Sequence, residues 1–274
     1  MRSGRSTGVE RSRATEFSAD GVTKYYDDLA KATAAAAKYQ ALAAIGGTRF
    51  RSPVVRSVSD DPPRIEFEIL PAARTADAAV VAALRDHDEP DARAIVAAVG
   101  TALAGIHDDL DLPTAQERSR APALRDALPP GGLSRFAPST LVTLHGDFGF
   151  SNVWLADDGV PVIFDPEPSR YTSNAIDAVD FPEMDLATYV TCLAGRAARL
   201  SDARLLRRHA SELIPAFLSA YREARADSAG ACDGERLACL VRAQVRAYRR
   251  IATWRSGLGV ALAARRAAAI SGRG

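Results

Sequence analysis

The spacing of apolar and polar residues divides the chain into a strand-rich opening and a helix-rich remainder. From Ala14 to Tyr26 it predicts two short strands joined at Asp20-Gly21, a dipeptide that supplies the backbone freedom of a tight hairpin turn. The second strand is Val22-Thr23-Lys24-Tyr25-Tyr26. Asp27 and Asp28 stand where they can cap a helix, and Leu29 to Ile45 is alanine-rich up to a Gly46-Gly47 stop. Pro53-Val54-Val55 and Arg64 to Leu70 read as further strands, and Pro71 reads as a hinge.

After Pro71 the period lengthens. Thr75 to Arg85 and Asp91 to Leu110 are predicted helices, the second with Ile95, Val99, Leu103 and Ile106 on one face. Residues 119 to 138, rich in Pro, Gly, Ser and Arg, read as a loop. Leu141 to Leu144, Val153 to Ala156 and Pro161 to Phe164 are predicted strands, the last two turned into a hairpin by Asp157-Asp158-Gly159. The rest is helical at roughly 184 to 198, 201 to 225 and 233 to 256; in the last helix Val241, Val245, Tyr248 and Ile251 oppose Arg242, Arg246, Arg249 and Arg250. The expected class is therefore α+β.

With 274 residues, 47% of them hydrophobic, the chain can bury a core in one large domain or two modest ones. Its 35 basic and 34 acidic residues nearly cancel, so net charge gives no case for nucleic acid or an anionic membrane. No apolar run approaches the roughly 20 residues that span a bilayer. The charged start lacks the apolar stretch of a secretory signal. Cys192, Cys232 and Cys239 have neither metal-ligand spacing nor an even count, which fits reduced core thiols. The expectation is a soluble cytoplasmic protein. Only Lys24, Lys31 and Lys38 are lysines, so in this arginine-rich chain a lysine is itself informative.

Against this background two segments stand out: His145-Gly146-Asp147-Phe148-Gly149-Phe150-Ser151-Asn152 and Ile163-Phe164-Asp165-Pro166-Glu167. Phosphoryl transfer asks little covalent chemistry of a protein; it asks for placement of metal, phosphates and an accepting hydroxyl. Asp147, on a loop after a strand, can take the proton of a hydroxyl as its oxygen attacks. Asn152 offers a neutral oxygen, and the intervening hairpin returns the chain so that Asp165 brings a hard anionic oxygen to the same Mg²⁺. A lone aspartate ending a strand reads as a turn residue; the three together read as a site.

H-G-D-x-x-x-x-N followed by a hydrophobic strand ending in Asp165 resembles the aminoglycoside phosphotransferase and choline kinase family, and more distantly protein kinases. Met184-Asp185-Leu186-Ala187 is similar to the family's D-L-A segment, and Leu103-Ala104-Gly105-Ile106-His107 to the L-A-x-L-H that ends the helix before the catalytic loop. The resemblance implies a two-lobed, protein-kinase-like fold: a small antiparallel sheet plus one helix over residues 1–70, and a larger, mainly helical catalytic and acceptor lobe over 71–274. It implies that Asp147 is the catalytic base, that Asn152 and Asp165 bind Mg²⁺ and that His145 supports the loop. It further implies that Lys24 contacts the α and β phosphates, and that Glu68 and Leu70 border the nucleotide. The implied substrates are ATP, or GTP in its place, and a small hydroxyl-bearing acceptor: a sugar, an amino-alcohol or a secondary metabolite such as an antibiotic.

Two features depart from that pattern. Where the family places a helix glutamate to pair with the lysine, near Lys38 or Gln40, the stretch from Leu29 to Ile45 holds no acid, which points to Glu16 or the Asp27-Asp28 pair as partners of Lys24. Only Gly4 and Gly8 precede the first strand as material for a phosphate-covering loop. These departures leave a second reading, a kinase-like nucleotide-binding or scaffold protein without efficient transfer. Several residues keep two readings: Asp185 as helix cap or loop brace, His107 as a packed or solvent-facing helix histidine or as part of the chemistry, Glu167 as ligand of metal or substrate or as turn residue. The segment linking Asp165 to Asp185, with Ser169-Arg170-Tyr171-Thr172-Ser173-Asn174 and the acids Asp177 and Asp180, reads as acceptor wall or solvated loop. After Glu235 nine arginines and no acid follow, which argues against a polycationic acceptor if that helix lines the cleft and otherwise reads as a solvated face. Nucleic-acid binding by that helix ranks last.

Overall fold

The computed structural model describes residues 15–17, 21–68, 72–134, 136, 140–169, 171–196, 199–225, 232–251 and 265–270. The first strands, β1 (Thr15–Phe17) and β2 (Val22–Tyr25), pair antiparallel, and β2 also pairs with β4 (Pro63–Phe67), which in turn pairs with β3 (Val55–Asp60). The result is a four-stranded antiparallel sheet ordered β1-β2-β4-β3. Period-two alternation along β2 turns Lys24, and Tyr26 just beyond it, to the buried face.

Helix α1 (Leu29–Gly46) packs on that face, and its alanines permit close approach: Ala32, Ala35, Ala36 and Tyr39 form a small core with Tyr26, Ile65 and Phe67. Its start is fixed by Asp28, whose side chain accepts the Lys31 N–H at 2.7 Å, and Gly47, at φ 57°, ends it in a conformation suited to glycine. Further along α1, Leu42 belongs to the larger core of the second lobe, as does Phe50.

Beyond the first sheet, β5 (Ala72–Thr75) leads into α2 (Ala76–Arg85) and α3 (Glu89–Asp109), which packs extensively on α6 (Leu200–Ala224). Gly100 makes that crossing possible, since a Cβ there would lie 2.5 Å from the Phe217 carbonyl oxygen. Two further helices, α5 (Glu183–Leu193) and α7 (Gly234–Ile251), stack on one another. A sheet ordered β5-β8-β9 contains β8 (Val153–Ala156) and β9 (Pro161–Ile163) as an antiparallel hairpin. A third sheet joins β6 (Gln116–Glu117), β10 (Ala178–Asp180) and β7 (Val142–Thr143). The connection from α1 to β3 runs beside the hairpin, with Arg51 N–H donating to Pro161 O at 2.9 Å and Ile163 N–H to Arg51 O at 2.8 Å.

The main expectations hold with shifted ends. The strand expected at Pro53-Val54-Val55 is Val55–Asp60, and its partner ends at Phe67 rather than Leu70. The short helix α4 (Pro122–Arg125) interrupts the expected loop, and β5, β6 and β10 are short strands that the pattern does not predict. Among the described residues no helix is long and apolar enough to cross a membrane. Cys192 and Cys239 are buried free thiols, and Cys232 is a half-buried one.

Candidate active site

The 145–152 loop leaves β7 and is held from below by a single buried carboxylate. Asp185, in the first turn of α5, accepts N–H bonds from His145 at 2.6 Å and Gly146 at 3.0 Å, and lies 3.1 Å from His107 Nε2. Burial pushes this carboxyl up, but the His107 bond, the neighbouring histidines and the Gly146 N–H outweigh it and hold it below the ordinary carboxylate value. Of the two readings of Asp185, loop brace is therefore the observed one. His107 is packed, held on its other side by the Tyr221 hydroxyl at 2.8 Å. His145 is buried too, with Nε2 2.9 Å from Phe164 O and Nδ1 accepting the Asp147 N–H at 3.3 Å. Burial lowers His145 to about 4, so the ring is neutral and serves as a spacer between the loop and the hairpin.

Gly146 has φ 101°, a left-handed conformation, and a Cβ there would sit 3.2 Å from the backbone of Glu167 and Pro168. This glycine lets the loop and the 165–168 turn touch. Thr172 ties them further, its hydroxyl donating to Gly146 O at 2.5 Å.

Asp147 lies above this brace. Its Oδ1 accepts the Tyr171 hydroxyl at 3.2 Å, while Asn152 Nδ2 donates to the Asp147 carbonyl at 2.8 Å and lies 3.4 Å from Oδ2. Burial raises the Asp147 carboxyl to about 6, with Arg196 drawing it down and Asp165 pushing it up. A carboxylate poised there can accept a proton near neutrality. Tyr171 is itself fixed by Arg196, whose Nη1 donates to its hydroxyl at 3.1 Å and whose guanidinium stacks 4.8 Å from the Tyr248 ring centroid. Tyr171 entered the sequence reading only as part of the segment after Asp165, and Arg196 not at all. Within this segment Thr172, Ser173, Asp177 and Asp180 are buried while Asn174 is exposed, and Arg120 pairs with Asp180 through both Nε, at 2.5 Å, and Nη2, at 2.6 Å.

The β8–β9 hairpin brings Asn152 and Asp165 to its open end. Register pairs Val153 with Ile163, and Phe164 N–H donates to Asn152 O at 2.8 Å. Asp165 follows in the left-handed region, φ 48°, where aspartate is tolerated better than most residues. Its N–H is held by the Tyr39 hydroxyl of α1 at 2.9 Å. The Asn152 amide nitrogen faces Asp147.

Lys24 crosses from β2 to this turn and contacts both acids on it: Asp165, and Glu167 Oε1 at 2.5 Å. This corrects the expectation that Glu16 or Asp27-Asp28 would hold Lys24. Glu16 instead accepts the Tyr25 hydroxyl at 2.9 Å, and Asp27 pairs with Lys31 at 2.9 Å. Those acids lie on or next to the exposed side of the sheet, whereas the β2 alternation points Lys24 inward. Glu167 is buried and also accepts the Tyr26 hydroxyl at 2.8 Å. On α1, the position expected to hold an acid holds Lys38, fully buried, whose ammonium donates to His145 O at 3.0 Å and Ile176 O at 2.5 Å. Burial draws Lys38 down to about 8, opposed by Asp185, Glu167, Asp177 and Asp165. Two of the three lysines thus belong to the site.

Glu68 stands at the exposed end of β4; its N–H donates to Val54 O at 2.9 Å and its carboxylate lies 3.9 Å from Arg56. Leu70, Gly4 and Gly8 lie outside the described residues. The arginine face of α7 is exposed at Arg242, Arg246, Arg249 and Arg250, but Arg236 is buried against Glu183 at 3.0 Å and is not part of it.

No protein-family model and no curated protein sequence matches the chain. Among solved structures it is similar to a glucosamine kinase in complex with glucosamine, ADP and inorganic phosphate, with a TM-score of 0.62 and 21% identity over 90% of this chain and 71% of that one. Crystal form B of a glucosamine kinase gives a TM-score of 0.60 at 19% identity, covering 90% and 72% of the two chains. A macrolide 2'-phosphotransferase from Brachybacterium faecium superposes more loosely, with a TM-score of 0.47 at 16% identity over 92% and 83%. The glucosamine kinase likeness establishes the fold, a two-lobed α+β fold of the kinase-like type.

Proposed function

We propose that this chain is a small-molecule kinase that transfers the γ-phosphoryl group of ATP to a hydroxyl of a sugar, an amino-alcohol or a secondary metabolite. The observation that carries the reading is the convergence of Asp147, raised to about 6 by burial, with Asn152, Asp165 and Lys24 from two lobes. Asp147 takes the hydroxyl proton as the acceptor oxygen forms its bond to phosphorus and the bond to the β-phosphate oxygen breaks. Tyr171 and Asn152 hold that carboxylate in place, and Lys24 meets the α and β phosphates as a compact charge.

Asn152 and Asp165, one neutral and one anionic hard oxygen, are the residues that would hold Mg²⁺. When bound, Mg²⁺ would offset charge on the phosphate oxygens. We assign the nucleotide lobe to residues 1–70 and the catalytic and acceptor lobe to 71–274, with Glu68 and Leu70 at the nucleotide's edge. The glucosamine and ADP held by the similar kinase support a sugar-sized acceptor and an adenine nucleotide. Arg196 beside Asp147 favours a neutral or anionic acceptor over a polycation.

The test is Mg²⁺-dependent turnover of ATP, and of GTP, against a panel of hydroxyl acceptors, beside Asp147→Ala and Asp165→Asn. Acceptor-dependent ADP release by the parent, absent from both variants, is expected. Nucleotide binding with no transfer above the variants would favour a kinase-like binding protein instead.

A further inference from the structure

We propose that Glu167 is the positioning residue for Lys24: from the turn after Asp165 it supplies the carboxylate that the helix beside β2 does not, and it keeps Lys24 aimed at the polyphosphate. The inference rests on the proposed nucleotide site. Helix α1 contains no acid, and its inward-pointing charged residue, Lys38, is spent on two backbone carbonyls of the opposite lobe. The buried cation of α1 is thus tied to the 145–152 loop, and the acid that meets Lys24 is carried by the turn.

Two carboxylates share the one ammonium, and they differ in access. The Asp165 side chain is 42% exposed and that of Glu167 only 2%. Asp165 can turn to an arriving cation, whereas Glu167 is enclosed and has Lys24 and the Tyr26 hydroxyl on Oε1. Its backbone is equally fixed, because Glu167 N–H donates to Asp165 O at 2.7 Å and Gly146 packs directly against Glu167 and Pro168. A buried carboxylate of this kind requires its cation, and the reverse also holds. With Glu167 neutral, Lys24 would be left to Asp165, and the lysine and the metal-ligand candidate would occupy one another.

This reading and simple electrostatics give opposite signs. Removing a negative charge beside a phosphate site should strengthen binding of an anionic nucleotide if the acid has no positioning role. The experiment titrates full-length parent, Glu167→Gln and Tyr26→Phe with MgADP and with adenosine by calorimetry, and records thermal unfolding of each. Glu167→Gln should weaken MgADP at least tenfold while adenosine stays within twofold; Tyr26→Phe, which removes one neutral donor, should weaken MgADP two- to fivefold with the same selectivity. MgADP binding to Glu167→Gln that is unchanged or tighter overturns the proposal. So does an equal loss of MgADP and adenosine, the mark of a merely structural residue. If Glu167→Gln fails to fold, an unchanged MgADP affinity in Tyr26→Phe overturns it. A parent that binds neither ligand refutes the nucleotide site itself, an outcome visible before any variant is measured.

Discussion

Replacing Asp185 by asparagine tests how the 145–152 loop is held. The native carboxylate accepts His145 N–H and Gly146 N–H and lies within hydrogen-bond distance of His107 Nε2, while only 1% exposed. An amide can place its oxygen on one side only, and its NH₂ then faces a donor. With the oxygen at the His145 side, the Gly146 N–H is left buried without an acceptor, a loss of about 1–3 kcal/mol. The two surviving bonds change from charge-assisted to neutral, about 1 kcal/mol each. The carboxylate's burial cost, recovered in the variant, offsets part of this, but the native group is held below its ordinary value, so its bonds exceed that cost. The expected net loss is about 3 kcal/mol, or roughly 5–10 °C in the unfolding midpoint for a chain of this size. Scanning calorimetry reads that loss, and single-turnover kinetics should show kcat down tenfold or more with MgADP affinity within threefold. A midpoint within about 2 °C of the parent, corresponding to under 1 kcal/mol, would refute the account of the brace.

Asp147→Asn should abolish transfer yet raise stability at pH 7.5. The folded carboxyl keeps its proton up to about 6 and the unfolded one releases it near 3.8, so the native acid loses stability as pH rises through that window, by up to about 3 kcal/mol. A lower midpoint for the variant, measured without nucleotide or divalent cation, would contradict this. His145 runs oppositely: with a folded value of about 4 against 6.5 unfolded, it takes up its proton on unfolding below pH 6.5. Parent stability should therefore fall by about 1.4 kcal/mol per pH unit more steeply than that of His145→Asn between pH 6 and 4.5, as read by urea titration. Lys38→Met removes two bonds from a charged donor, about 3–6 kcal/mol, but recovers about 3 kcal/mol of charge burial implied by the fall from 10.5 to about 8. Its midpoint should drop modestly while kcat drops tenfold or more; retained kcat would show that the lobe-to-loop tie is dispensable.

The sequence by itself determined the local elements and the catalytic spacing. The Asp28 cap, the alanine run of α1 and the β8–β9 hairpin are set by neighbours within a few residues, and so is the interval from Asp147 to Asp165. It also marked the three lysines by residue type, and Lys24 among them by its place in an alternating strand before a helix. Tertiary structure decided which charges meet. Lys24 and Glu167 lie 143 positions apart, as His145 and Lys38 lie 107 apart, and no periodicity reports such pairs. The partner of Lys24 was sought among acids adjacent in sequence, when the alternation of β2 had turned the lysine away from them and toward a turn of the other lobe. The contact of Tyr171 with Asp147, and the part Arg196 plays beside it, were invisible for the same reason: burial gives them their place, and burial is a property of the folded chain.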